Sequence, residues 1–312
     1  MTADKPRLSI GLPVFNGEKY LRQALDSILR QTYDDFVLLI SDNASTDTTP
    51  QICKEYAKKD CRIIYNRSEI NLGGPANYNR VFRMSSTEYF KWVAHDDIHA
   101  PTYLQKCMEV LENDSSIVLC HSKNGCIDQY GKVVGNYDDR TLLRTGSKKP
   151  HERFGDLISL RNPCWTLFGI MRSESLRKTP LHGDYILADR NLLAELGLMG
   201  RFHEIPEHLF YRRDHPDAYT NTYYSKYSSV KDYRVQSEWW TGKKGKNLTI
   251  FPHWKHCTEF FKSVNRVSLN SSERFLCYNE ILKWIVNEGG WRLLKWDLTN
   301  AFGLWRMRLR YG

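Results

Sequence analysis

A chain of 312 residues with 41% hydrophobic and 13% aromatic residues can build one large α/β domain, or one domain with an appendage. Its formal net charge of +9 suits an anionic partner: nucleic acid, acidic lipid or a phosphorylated small molecule. No stretch approaches about 20 uninterrupted apolar residues, which excludes a transmembrane helix, and residues 1–7 are too short and polar for a signal peptide. The eight cysteines form no CxxC pair, so no zinc site is expected and the reducing cytoplasm is the simplest compartment.

In chain order, Leu8-Ser9-Ile10-Gly11-Leu12-Pro13-Val14 reads as a first strand, followed by turn chemistry at Phe15-Asn16-Gly17. Tyr20, Leu21, Ala24, Leu25, Ile28 and Leu29 then recur at helical spacing. A second buried strand, 36–40, ends in the polar loop Ser41-Asp42-Asn43-Ala44-Ser45-Thr46-Asp47 and a helix over 49–58. A strand over 62–65, a loop Asn71-Leu72-Gly73-Gly74-Pro75 and a helix over 76–84 come next. This alternation predicts parallel crossovers and a doubly wound sheet. There is no G-x-G-x-x-G after the first strand and no P-loop, so nucleotide binding must use another mode.

The fourth strand, Tyr89-Phe90-Lys91-Trp92-Val93, runs into Ala94-His95-Asp96-Asp97, with Pro101 opening a helix over 102–111. Adjacent carboxylates at the carboxyl end of a strand face the crevice where α/β sheets bind ligands. Oxygen donors there suit a divalent cation that also holds phosphate. The plainer alternative is that they cap the next helix.

In this order and spacing, Pro13-Val14-Phe15-Asn16-Gly17, Gln31-Thr32-Tyr33, the Asp42 to Asp47 loop, Asn71-Leu72-Gly73 and His95-Asp96-Asp97 with Pro101 resemble the inverting family 2 glycosyltransferases. The resemblance implies a GT-A fold: a Rossmann-like, mostly parallel α/β sheet flanked by helices. It implies that Pro13 and Phe15 wall a base pocket, that Asp42 accepts from the nucleobase, and that Asp96 holds Mn2+ or Mg2+ on a nucleotide-sugar diphosphate. Asn16, Asn71, Gly73, His95 and Asp97 join the donor site. The family's D-x-D begins with an acid where this chain has Ala94, which removes any ribose contact from that position.

Further on, strands are expected over 116–120, 165–171 and 201–205, a hairpin edge at 131–134, a basic loop over 137–150, and helices over 151–160 and 187–196. Asp189 opens the last helix. It is either a dipole-stabilised first-turn acid or, by resemblance to the family's E-D pair, the base that deprotonates the acceptor. The segment Tyr211-Arg212-Arg213-Asp214-His215 resembles the family's Y-R-x-H, implying diphosphate contacts from Arg213 and His215; a solvated basic loop is the alternative.

The catalytic domain is taken as residues 1–220, and 221–312 as a helical C-terminal extension with helices over 258–264, 272–286 and 291–309. In the last, Trp291, Leu294, Leu298, Phe302, Trp305 and Leu309 recur at helical spacing beside Arg292, Lys295, Arg306, Arg308 and Arg310. That pattern suits a helix lying in a membrane interface or one packed on the domain; Gly289-Gly290 would let it swing free.

The expectation is therefore an inverting, metal-dependent transfer of sugar from a nucleotide sugar to a carbohydrate or lipid-linked acceptor. It would serve cell-surface polysaccharide or glycolipid synthesis in the cytoplasm, at the inner face of the membrane. A catalytically dead sugar-nucleotide-binding scaffold is the alternative. No nucleic-acid partner is expected, since Lys and Arg are spread along the chain without a motif. A sugar nucleotidyltransferase would need a glycine-rich basic first loop that is absent.

Overall fold

Short, fully apolar runs make the first strands, because a strand covered on both faces cannot alternate polar and apolar residues. In the computed structural model, which describes residues 5–137, 143–160, 162–218, 230–242 and 249–310, β1 (Leu8–Val14) is buried throughout. It is followed by α1 (Leu21–Leu29), β2 (Phe36–Asp42), α2 (Thr49–Lys59), β3 (Ile63–Arg67), α3 (Gly74–Arg83) and β4 (Tyr89–Trp92). These strands lie in the order β3-β2-β1-β4, all parallel. Beyond them come β5 (Ile98–His99), α4 (Tyr103–Asn113), β6 (Ile117–Ile127), β7 (Val133–Tyr137), α5 (Pro150–Ile158), β8 (Ile170–Arg172), α6 (Ser173–Arg177), α7 (Ala188–Met199) and β9 (Arg201–Arg213). The sheet continues β4-β8-β6-β9-β5, with β7 on β6. Here directions mix: β8 is antiparallel to β4 and β6, while β6 and β9 run parallel.

Successive β4 side chains go to opposite faces. Phe90 and Trp92 join one apolar cluster, with Phe154, Leu193, Phe260, Ile281 and Trp284; Tyr89 joins another, with Leu8, Ile10, Leu21 and Leu104. Four further helices follow: α8 (Val230–Thr241), α9 (Pro252–Arg266), α10 (Ser271–Val286) and α11 (Gly290–Arg310). Cys257 and Phe260 of α9, Cys277 and Ile281 of α10 and Leu294 of α11 sit in the first cluster, so these helices share a core with the sheet.

Three sequence expectations change. The strand expected over 165–171 is a 3-10 turn, Trp165–Phe168, before the short β8. Cys164 precedes it with φ 61, and a Cβ on Gly169 would lie 2.7 Å from the Cys120 carbonyl oxygen, so the chain turns there instead of running straight. The segments 201–205 and 209–213 form a single strand, β9. Its partner register jumps from Ile205 to His208, and the irregularity accommodates Pro206, which has no N–H to give the ladder. Finally, α8 forms in a segment for which no helix is expected from the sequence. Residues 138–142 of the expected loop and residues 219–229 lie outside the described residues.

Candidate functional site

At the carboxyl ends of β1 and β2 two loops are stitched together. Asn16, at φ 51, donates from its backbone to Ser45 Oγ at 3.0 Å, and its side-chain oxygen accepts from the Thr46 backbone at 2.8 Å. Gly17 N donates to Thr49 Oγ1 at 2.8 Å, and Glu18 Oε2 accepts from Thr48 N at 2.9 Å. Pro13 is buried beneath this seam, while the Phe15 ring stands 43% exposed above it. Phe15 is thus free to cover a planar group, and Asn16 is occupied in shaping the loop.

Asp42 departs from its expected role as an open acceptor. It is 0% exposed: Oδ1 accepts from Ser45 N at 2.8 Å, Oδ2 accepts from the Tyr65 hydroxyl at 2.7 Å, and Arg67 Nε lies 3.3 Å away. A carboxylate so enclosed braces the loop after β2 against β3.

Beside it, Asn43 Nδ2 donates to Asn71 Oδ1 at 2.8 Å, Asn43 Oδ1 accepts from Leu72 N at 2.8 Å, and Asn71 Oδ1 also accepts from Gly73 N. Gly73 has φ 84 and ψ 163, a conformation essentially restricted to glycine, and a Cβ there would lie 2.0 Å from the Thr241 carbonyl oxygen at the end of α8. The loop over 71–73 is thereby held against the end of α8. Gly73→Ala is expected to destabilise the protein by about 1–3 kcal/mol from backbone strain alone. It should also weaken nucleotide binding as α8 is displaced; an unchanged melting temperature would contradict this close approach.

Past β4, Asp96 and Asp97 take different environments. Neither caps α4, whose N-cap is Thr102 with no side-chain bond. Asp97 is buried and its Oδ1 accepts from Arg213 N at 2.9 Å. Asp96 Oδ2 meets His215 Nε2 at 3.0 Å, and its side chain retains 21% exposure. Burial opposes ionisation of Asp96, but His95 and His215 outweigh it and hold this carboxyl below the usual range. Burial and the Asp96 charge together push Asp97 well above that range. The pair therefore carries its charge on Asp96.

Arg213 does not face the cleft. It is 1% exposed, its Nε donates to the Asp96 carbonyl at 2.7 Å, its Nη2 to Gln23 Oε1 at 2.7 Å, and its Nη1 to the Asp128 carbonyl at 3.1 Å. The planar fork is used up holding the Asp96 turn, which replaces the expected diphosphate contact. His215 packs its ring on Tyr20 at 4.7 Å, with its Nε2 3.0 Å from Asp96 Oδ2.

Asp189 sits in the first turn of α7, after Leu187 at φ 66. Its Oδ1 accepts from the Arg190 backbone at 2.9 Å, and burial pushes its carboxyl above the usual range, with Arg190 only partly offsetting this. The Arg190 side chain turns away, bonding the Ser159 and Asn162 carbonyls.

One residue that sequence reasoning missed is Tyr78. Burial, and after it the charges of Asp96, Asp97 and Asp189, raise the Tyr78 hydroxyl on α3 above the usual range. Its only sequence signal was an aromatic between Asn77 and Asn79. Among the described residues no cluster of three His, Cys, Asp or Glu side chains could hold a metal unaided. Asp96 nonetheless fits a cation bound chiefly through substrate phosphates, as such sites need only one or two carboxylates.

Residues 9–175 match the family model described as glycosyl transferase family 2. An uncharacterised glycosyltransferase of Methanocaldococcus jannaschii is 35% identical over 43% of this chain and 47% of its own length. An uncharacterised glycosyltransferase of Haemophilus influenzae is 27% identical over 95% of this chain and 89% of its own. Among solved structures, S. aureus TarS residues 1–349 in complex with UDP-GlcNAc superposes with a TM-score of 0.61 at 16% identity, covering 90% of this chain and 73% of that one, a likeness of fold.

Proposed function

The chain belongs to glycosyl transferase family 2, and from that premise we propose that it moves a sugar from a nucleoside diphosphate sugar to an acceptor hydroxyl with inversion at the anomeric carbon. Support comes from two carboxylates in contrasting environments: Asp96, partly exposed and bonded to His215 at 3.0 Å, is held below the usual range, while Asp189, in the first turn of α7, is raised by burial. Environments that drive two acids apart assign them separate roles.

Phe15 covers the base over the seam of the β1 and β2 loops, and the Asn43–Asn71 clasp shapes the wall beside it. Asp96 holds a divalent cation, Mn2+ or Mg2+, on the donor diphosphate; such a cation supplies Lewis-acid stabilisation of the leaving group. Asp189 accepts the proton of the incoming hydroxyl, its raised basicity suiting the task. Attack from the face opposite the leaving group inverts the centre, the two-carboxylate arrangement of inverting glycosidases with an alcohol in place of water. A thermal-shift screen of nucleotide sugars, UDP-N-acetylglucosamine among them, with and without Mn2+ or Mg2+, tests the reading. A binder at 100 times its dissociation constant stabilises by about 2.7 kcal/mol. No shift with any nucleotide sugar would overturn it, and cation-dependent binding without turnover would favour the inactive scaffold.

The acceptor is a carbohydrate or lipid-linked hydroxyl, in cell-surface polysaccharide or glycolipid synthesis at the cytoplasmic face of a membrane. Support comes from α11. Trp291, Leu298, Phe302, Trp305 and Leu309 are 46–67% exposed and share one helix face, rimmed by exposed Arg292, Lys295, Arg306 and Arg310. No helix among the described residues is long and apolar enough to cross a membrane. The opposite face is fixed: Leu294 and Leu304 are buried, and Asp297 accepts from the backbones of His253 and Trp254 at 2.8 and 2.9 Å, capping α9. The helix is therefore pinned instead of swinging free at Gly289 and Gly290, and truncation would damage the core. The joint change Leu298→Glu with Phe302→Glu is expected to reduce sedimentation with phosphatidylglycerol vesicles at least tenfold while leaving the melting temperature unchanged. Equal sedimentation of variant and wild type would remove the membrane contact.

A further inference from the structure

A cavity of about 250 Å3 lies beside α7, bounded by the loop that leads into this helix and by α9. It falls just below the roughly 300–1,000 Å3 of drug-sized ligand sites and suits a single ring. The loop turns at Leu181, whose φ is 61, and seats the Tyr185 ring so closely on Gly183 that a Cβ there would lie 2.1 Å from it. Tyr185, 8% exposed, is thereby fixed as an aromatic wall. Leu192 and Glu195 line the cavity from α7, and Lys255, Glu259 and Arg266 from α9.

Much of the charge on these walls is paired internally. Glu195, 1% exposed, accepts from Arg266 Nε at 2.9 Å, from Arg266 Nη2 at 2.7 Å and from Ser263 Oγ at 2.7 Å. Glu259 Oε1 accepts from Lys255 Nζ at 2.8 Å and from Lys262 Nζ at 2.9 Å. What is left over is a mixed set of donors and an acceptor. Among the described residues the Tyr185 hydroxyl, Arg266 Nη1 and Glu259 Oε2 make no hydrogen bond; Glu259 Oε2 stands 3.8 Å from Arg266 Nη2. Three acids of the lining, Asp184, Glu195 and Glu259, face two cations, Lys255 and Arg266, in a chain whose net charge is +9. That balance disfavours an anion. A neutral ligand whose hydroxyls both donate and accept can use the spare N–H groups, the phenol and the carboxylate oxygen together, and bonds to the charged partners are the stronger kind. The cavity also has a defined place relative to Asp189. Leu192 follows it by three residues on the same side of α7, about 4.5 Å along the axis, and Glu195 by six, about 9 Å along.

We propose that this cavity is a carbohydrate subsite: it holds the second ring of the acceptor while the first ring presents its hydroxyl to Asp189. The acceptor is then the end of a glycan at least two rings long. The inference rests on the transfer reaction and the base proposed above. Tyr185 and Leu192 cover the apolar faces of the ring, and Arg266 Nη1, the Tyr185 phenol and Glu259 Oε2 bond its hydroxyls. A site that hydrogen-bonds substrate hydroxyls discriminates strongly against ligands lacking them.

The test is Tyr185→Phe combined with Glu259→Gln in the full chain. Phenylalanine keeps the ring on Gly183, and glutamine keeps the oxygen that accepts from Lys255 and Lys262, so the walls should stand. Glucose, galactose, mannose and N-acetylglucosamine, with the disaccharides lactose, maltose, cellobiose and chitobiose, serve as probes in saturation-transfer NMR titrations. Affinity for UDP and UDP-N-acetylglucosamine with Mn2+ is measured alongside. At least one disaccharide should bind the wild type about tenfold more tightly than its component monosaccharides, the worth of one hydrogen bond. The variant should lose that preference while its melting temperature and nucleotide affinities stay unchanged. A wild type without any disaccharide preference overturns the proposal, as does a variant that keeps it. Displacement of the disaccharide by inorganic phosphate would mark an anion site and overturn it too. Nucleotide-sugar binding without a disaccharide preference leaves the donor reading intact and removes the subsite alone. A disaccharide preference lost in the variant, in a protein that binds no nucleotide sugar, removes the donor reading and with it the acceptor role of the cavity.

Discussion

Asp189→Asn is expected to lower turnover by about two to four orders of magnitude, the usual contribution of a general base, while donor affinity barely changes. The substitution keeps the shape and the oxygen that accepts from the Arg190 backbone, so the first turn of α7 should survive. What it removes is the proton acceptor. The wild-type pH profile offers a second readout. Burial raises the Asp189 carboxyl above the usual range, and only its ionised form can take the acceptor proton. As pH falls through that raised value the base is protonated and kcat/KM drops. The acid limb should therefore lie above the ordinary carboxylate range and should be missing from the residual activity of the variant. Turnover within a few-fold of wild type would place the base elsewhere.

The legibility of this chain followed from how local each feature is. The strands β1, β2 and β4 were readable because continuous apolar runs between turn residues have few other solutions. Asp96, Asp97 and Asp189 were readable because each ends a strand or opens a helix, positions with strong sequence signals. The roles of Asp42 and Arg213 were not. Whether a carboxylate is presented or enclosed depends on Tyr65 and Arg67, a strand away, and the five donors of Arg213 find Gln23 and the Asp128 carbonyl only once the chain has folded. The extent of β9 was hidden by Pro206, which reads as a strand breaker unless the partner strand supplies an irregular register. Tyr78 was missed for a related reason: its ring packs against residues of β4, the loop before α7 and α8. The exposed stripe of α11 was visible as a pattern, but only packing could show that Leu294 belongs to the buried side and the other five residues to the surface.

Asp96→Ala should abolish the cation-dependent part of donor binding and reduce transfer below detection, with the fold intact. The reasoning turns on the contrast between two adjacent acids. Asp96 is partly exposed, bonded to His215 and held below the usual range, so its removal deletes the carboxylate proposed to hold the cation and strips little from the core. Loss of several kcal/mol of leaving-group stabilisation corresponds to several orders of magnitude in rate. Asp97 should not take over. With the Asp96 charge gone its tendency to stay protonated weakens, but its Oδ1 remains bonded to the Arg213 backbone inside the protein. Asp97→Ala should behave differently, leaving that buried N–H unpaired and costing about 1–3 kcal/mol of stability. The two variants are therefore separated by measuring melting temperature alongside cation-dependent nucleotide affinity. Unchanged cation-dependent affinity in Asp96→Ala would end the metal assignment, whatever the activity.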